Sequence, residues 1–127
     1  MNKEKDIELN VLGNPLESCC RSPMTGYFRD GLCRTDGTDF GQHITCVLLT
    51  DEFLDFSRSK GNDLITPRLE YGFPGLKAGD RWCLCAERWT EALEAGVAPK
   101  LYLESTHAKM LSLVQIEVLE KYAAVLS

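Results

Sequence analysis

The sequence predicts an α+β fold: a small two-layer domain with a short sheet, helices packed on it, and two long Gly/Pro-rich loops. Three observations carry this. β-Branched and apolar residues run unbroken through residues 43–50, as in a strand covered on both faces. Short helical patterns directly follow the strand patterns. Between them, residues 11–41 and 61–80 are rich in Gly, Pro and Asp.

Residues 1–10 read as a polar, flexible arm, leaving 11–127 as one α+β domain. Within 11–41, Asn14-Pro15, Asp30-Gly31 and Asp36-Gly37 mark turns, while the run 24–28 and the cysteines anchor the segment on the rest. Structureless stretches of this length are uncommon in compact domains and often functional. After the strand at 43–50, Thr50 is placed to cap a helix. Asp51 and Glu52 suit the positive end of its dipole, Phe53, Leu54 and Phe56 form its apolar face, and Gly61 ends it.

The second loop carries Gly61-Asn62-Asp63, Thr66-Pro67 and Phe73-Pro74-Gly75. Residues 81–87 then predict a strand whose period of two puts Cys83 and Cys85 on one face, and Trp82, Leu84 and Ala86 on the other. A short helix over 88–95, closed by Gly96, is followed by a strand over 100–104 with Leu101 and Leu103 on one face. Ser105 or Thr106 is expected to cap a helical turn through Leu111. A last helix over 115–125 carries Ile116, Leu119 and Ala123 at helical spacing.

At 127 residues the chain suits one domain with a single core, and 44% hydrophobic against 26% charged residues is an ordinary soluble balance. The net charge of −5 and the dispersed basic residues argue against nucleic acid, since phosphate binding relies on clustered Lys and Arg. No apolar segment follows the charged start, and no stretch has the length of a membrane span. The expected setting is the cytoplasm, with no membrane. There the six cysteines would be kept reduced, so a disulfide framework is not expected.

The runs Asn10-Val11-Leu12-Gly13, Pro23-Met24-Thr25-Gly26, Arg29-Asp30-Gly31, Gly61-Asn62-Asp63-Leu64, Phe73-Pro74-Gly75-Leu76-Lys77, Gly79 to Ala86, and Thr106-His107 resemble a family of small bacterial proteins catalogued as domain of unknown function 2237. The likeness covers residues 10–124. It implies a compact α+β domain and brings no activity, cofactor or catalytic residue with it. The adjacent pair Cys19-Cys20 departs from the family pattern, which has one cysteine there.

Two chemistries compete for the polar and sulfur-bearing residues. Arg29, Asp30, His43, Asn62, Asp63, Arg81 and Arg88 lie in or beside the loops, with Asp39 and Arg68 in the same stretches. If both loops fold over one end of the sheet, these residues converge with Trp82 or Trp89 on an aromatic-walled polar pocket in which Arg holds a carboxylate or phosphate. The alternative uses thiols: Cys33, Cys46, Cys83 and Cys85 with His107 as redox or metal-binding groups. No C-x-x-C knuckle is present, and a free cysteine packs as a small hydrophobe, so Cys46 reads as core and Cys83 and Cys85 as core or pocket lining.

The expectation is therefore a monomer or homodimer that binds a small anionic ligand or a protein partner through its loops. No cofactor is predicted and no reaction is assigned. A thiol-based redox enzyme, or a protein holding a Cys/His-bound metal such as zinc, is the alternative.

Overall fold

The computed structural model describes residues 8–125. Two antiparallel strands, β1 (His43–Leu48) and β2 (Arg81–Cys85), pair with Thr45 opposite Leu84, Cys46 opposite Cys83 and Val47 opposite Trp82. Helix α1 (Asp51–Ser59) follows β1, α2 (Ala86–Glu94) follows β2, and α3 (Ile116–Lys121) comes near the end of the chain. This is a small α+β domain.

β1 is covered on both faces, as its uninterrupted apolar run predicts: Ile44, Thr45, Cys46 and Val47 are all buried. Thr50 caps α1 by accepting the Phe53 N–H at 3.1 Å, and Gly61 takes the left-handed φ of +90° just beyond the helix. Phe53, Leu54, Trp89, Leu101, Met110 and Leu119 pack with Ile44 and Val47 into the main core. The fully buried Trp89 satisfies its indole N–H by donating to the Pro99 carbonyl at 3.0 Å.

Several element boundaries differ from expectation. Helix α2 begins at Ala86, two residues early, because the chain passes straight from strand to helix with Cys85 as the N-cap. The expected strand over 100–104 is reduced to single bridges from Leu101 to Val47 and Ala123. Thr106 explains the brevity: its hydroxyl donates to the Tyr102 carbonyl at 2.9 Å and accepts the Cys46 N–H at 3.2 Å. It thus takes up the edge of β1 while the chain turns through a 3-10 turn at Leu103–Ser105. The next turn, Ala108–Ser112, is capped by the His107 ring instead of Ser105 or Thr106. Helix α3 stops before 125 because the Ala124 N–H is committed to the Leu101 carbonyl at 2.7 Å.

Residues 1–7 of the expected arm lie outside the described residues, but residues 8–10 are built in. Asn10 is buried, with its side-chain oxygen accepting the N–H groups of Leu12 and Asn14 and its amide donating to the Glu104 carbonyl.

The expectation of reduced cysteines is overturned. Cys19 is bonded to Cys46 and Cys33 to Cys83. Cys46 and Cys83 are cross-strand partners, so one face of the sheet presents two sulfurs side by side. The loop over 11–41 lies against that face and supplies a partner for each. The earlier expectation was a compartment argument, and chain spacing carries no information about which cysteines the fold brings together.

Candidate functional site

The opposite face of the sheet floors a cleft of about 470 Å³. Four stretches of chain build it. The first loop contributes Tyr27 and Arg29, the start of β1 gives His43, and the second loop gives Asn62, Asp63, Leu64, Arg68 and Phe73. Trp82, Leu84 and Cys85 come from β2 and Arg88 from α2.

Its walls are aromatic. Phe73 meets Trp82 edge to face with ring centroids 5.6 Å apart, and the Tyr27 ring lies nearly parallel to the His43 ring. The Arg29 guanidinium sits 5.2 Å from the Trp82 ring centroid and donates to the Gly26 carbonyl at 2.9 Å. Arg29 itself has a positive φ of 54°, and Gly26 has one of 100°, so the loop tip is held in a conformation that aims this side chain inward.

Three guanidiniums face one lining carboxylate. Arg88 donates to Glu91 and to the Lys60 carbonyl, each at 3.3 Å. Arg68 is fixed through its backbone, which exchanges two bonds with Phe73, and its guanidinium has no bonded partner among the described residues. Asp63 is turned to its own loop. The Thr66 hydroxyl and the backbone N–H groups of Thr66 and Ile65 engage both oxygens and hold its carboxyl below the usual range. The lining thus carries three guanidiniums against one carboxylate, although the chain as a whole is acidic.

Behind His43 stands a buried carboxylate. Asp39 Oδ1 lies 2.7 Å from His43 Nδ1, while Oδ2 accepts the His43 N–H at 2.9 Å and the Thr35 hydroxyl at 3.0 Å. Burial alone would push the Asp39 carboxyl up. The bonds from the His43 backbone, the His43 ring and Thr35 outweigh it and leave the pKa lowered. With a carboxylate at Nδ1, that nitrogen carries the ring proton and Nε2 is the basic one.

Of the residues expected to form a loop pocket, Arg29, His43, Asn62, Asp63, Trp82 and Arg88 come together here. Asp30 does not: it pairs with Arg34 at 2.7 Å and accepts the Leu32 N–H, tying its own loop. Arg81 lies over the Tyr102 ring at 3.8 Å, and Tyr102 packs with the disulfide cysteines.

The expected thiol set divides as well. Cys33, Cys46 and Cys83 are in the disulfides, where the sulfurs of Cys19, Cys33 and Cys46 lie within 4.8 Å of one another. Cys85 lines the cleft. It is a free thiol, whereas Cys83 is bonded to Cys33. His107 is engaged at both nitrogens, with Nε2 on Glu8 at 2.8 Å and Nδ1 accepting the Lys109 N–H at 3.0 Å. It has no lone pair left for a metal. Cys19, Tyr27 and Phe73 were not among the expected site residues. Only their chain partners in space distinguish them from ordinary loop residues.

The protein is thus a small α+β domain whose first loop is stapled to one sheet face and helps wall a cleft on the other. It belongs to the family described as an uncharacterized protein conserved in bacteria (DUF2237), whose model matches residues 9–123. No curated protein matches the chain. Among the described residues, no helix is long and apolar enough to cross a membrane.

Proposed function

We propose that this protein binds a small anionic ligand in the cleft between its two loops. The observation that carries the reading is the convergence of Arg29, Arg68 and Arg88 on one aromatic-walled cavity whose lining acid, Asp63, is already satisfied. Guanidinium groups match carboxylate and phosphate oxygens in pairs, and a recessed site limits competition from water. The Asn62 side-chain amide, with no bond among the described residues, is available as a further polar contact.

Titration with phosphate and with citrate, followed by Trp82 fluorescence, tests this. Replacing Arg68 or Arg88 by Ala should weaken binding about tenfold each, as expected for one charge-assisted hydrogen bond, with little change in melting temperature. Absence of saturable binding by any small anion would remove the reading.

The disulfide side supports a second reading, in which reduction converts the sulfur cluster into a soft-metal site. Tetrahedral zinc thiolates hold sulfurs about 3.8 Å apart, as Zn–S bonds of about 2.3 Å require. Three sulfurs within 4.8 Å need little movement to reach that spacing, and Cys83 would supply the fourth. Anaerobically reduced protein should then take up one Co²⁺ with thiolate charge-transfer absorption, and Cys19→Ser should lose it. Uptake unaffected by that substitution would rule the cluster out.

A further inference from the structure

Cys85 and His43 are cross-strand partners, and both line the cleft. The Ala86 N–H donates to the Gln42 carbonyl at 3.0 Å, the bond that flanks a non-hydrogen-bonded pair, where side chains approach most closely. Cys85 is a free, half-buried thiol. It is also the N-cap residue of α2, and its side chain makes no capping hydrogen bond to the helix.

His43 is oriented rather than free to swing. Asp39 holds Nδ1, and the ring lies against Gly41, where an added Cβ would meet Cε1 at 3.0 Å. Asp39 is itself buried and doubly anchored through Oδ2. The structure therefore places a thiol and an imidazole on the lining of one cavity, with an orienting carboxylate buried behind the imidazole.

We infer that Cys85, His43 and Asp39 form a thiol-nucleophile triad that transfers or hydrolyses the acyl group of an ester bearing a second, anionic group. The anionic class rests on the reading of the cleft given above. His43 Nε2 takes the Cys85 proton as Sγ bonds to the acyl carbon. The C–O bond to the leaving alcohol then breaks, and the alcohol leaves with that proton. Water next attacks the thioester, giving its proton to His43. The C–S bond breaks, the acid is released, and the thiolate recovers its proton from His43. No oxidant or reductant enters. Asp39 acts through His43 and is a positioning residue.

The test uses the disulfide-intact protein with two activated esters: the para-nitrophenyl monoester of adipic acid, which keeps a free carboxylate too distant to close readily on its own ester, and para-nitrophenyl acetate, which has none. Nitrophenol release and peptide mass spectrometry follow acylation at Cys85, with Cys20 as the internal thiol control. Cys85 is expected to acylate at least about tenfold faster than Cys20 with either ester, and His43→Gln should lower that rate about a hundredfold, the usual size of a general-base contribution. Asp39→Asn should lower it as well. Since Asp39 is buried, circular dichroism of each variant checks that the fold is kept, and His43→Gln alone suffices if Asp39→Asn does not fold.

Equal reactivity of Cys85 and Cys20, or a folded His43→Gln variant that acylates at the wild-type rate, overturns the triad. The ester preference reports separately on the anion site. A preference for the adipyl ester that is lost in Arg88→Ala upholds both readings. A His43-dependent rate with no preference between the esters upholds the triad and removes the anionic ligand.

Discussion

Cys33 and Cys83 are fifty residues apart in the chain and joined by a disulfide with their Cα atoms 5.2 Å apart. Cys83 is flanked in β2 by Trp82 and Leu84, which floor the cleft, and Cys33 closes the loop that carries Tyr27 and Arg29. The bond therefore ties a wall of the cleft to its floor through the thickness of the sheet. Asymmetry between the two faces is the organising feature: sulfur on one, ligand-facing groups on the other.

Removing that bond should loosen the whole loop. Closing chain segments of 27 and 50 residues corresponds, in the chain-entropy account, to about 3.5 and about 4 kcal/mol. The segments interleave, so the two contributions are less than additive. The Cys33→Ser/Cys83→Ser double variant is expected to lose about 3 kcal/mol in urea unfolding. An unchanged urea midpoint, in the variant or after reduction of the wild type, would contradict it.

Two glycines separate backbone strain from collision. Gly13 and Gly26 both have positive φ, but a Cβ at Gly13 meets nothing within 4 Å, whereas one at Gly26 runs into the Leu32 carbonyl oxygen. Gly13→Ala should cost about 1 kcal/mol, and Gly26→Ala more than about 2 kcal/mol. The Gly26 variant should also bind phosphate less well, since its carbonyl accepts both the Arg29 N–H and the Arg29 guanidinium. Equal costs at the two positions would show that the loop shifts to admit the methyl.

Acid should act through Asp39. Its folded pKa is lowered, so it contributes stability that is fully present above the unfolded carboxylate value and is lost as pH falls through the folded one. Between about pH 5 and pH 2 the wild-type urea midpoint should fall more steeply than that of Asp39→Asn. Parallel curves would mean that the carboxylate contributes nothing to the acid limb.

Thr50 offers a local control away from the cleft. Thr50→Ala leaves the Phe53 N–H without its 3.1 Å acceptor and should cost about 1 kcal/mol, with anion binding and Cys85 acylation unchanged. A loss of either activity would couple α1 to the cleft.

Much of the local structure was written in the chain. The run Ile44-Thr45-Cys46-Val47 had to be a covered strand, because only backbone pairing satisfies its N–H and C=O groups inside a core. Thr50, Gly61 and Gly96 marked helix ends through their own hydroxyl or their own freedom at positive φ. The loop residues Arg29, Asn62, Asp63 and Arg88 were recognisable as candidates from their setting in Gly/Pro-rich connections.

What tertiary structure alone decided was pairing. That Cys19 meets Cys46, that Arg81 turns to Tyr102 instead of the cleft, and that His43 faces Cys85 depend on contacts 21 to 42 residues apart in the chain. Local pattern sets which conformation a segment prefers. Which distant side chain it then meets depends on strand register, a bulge at His43, and the path of a loop whose own sequence has no periodicity to read.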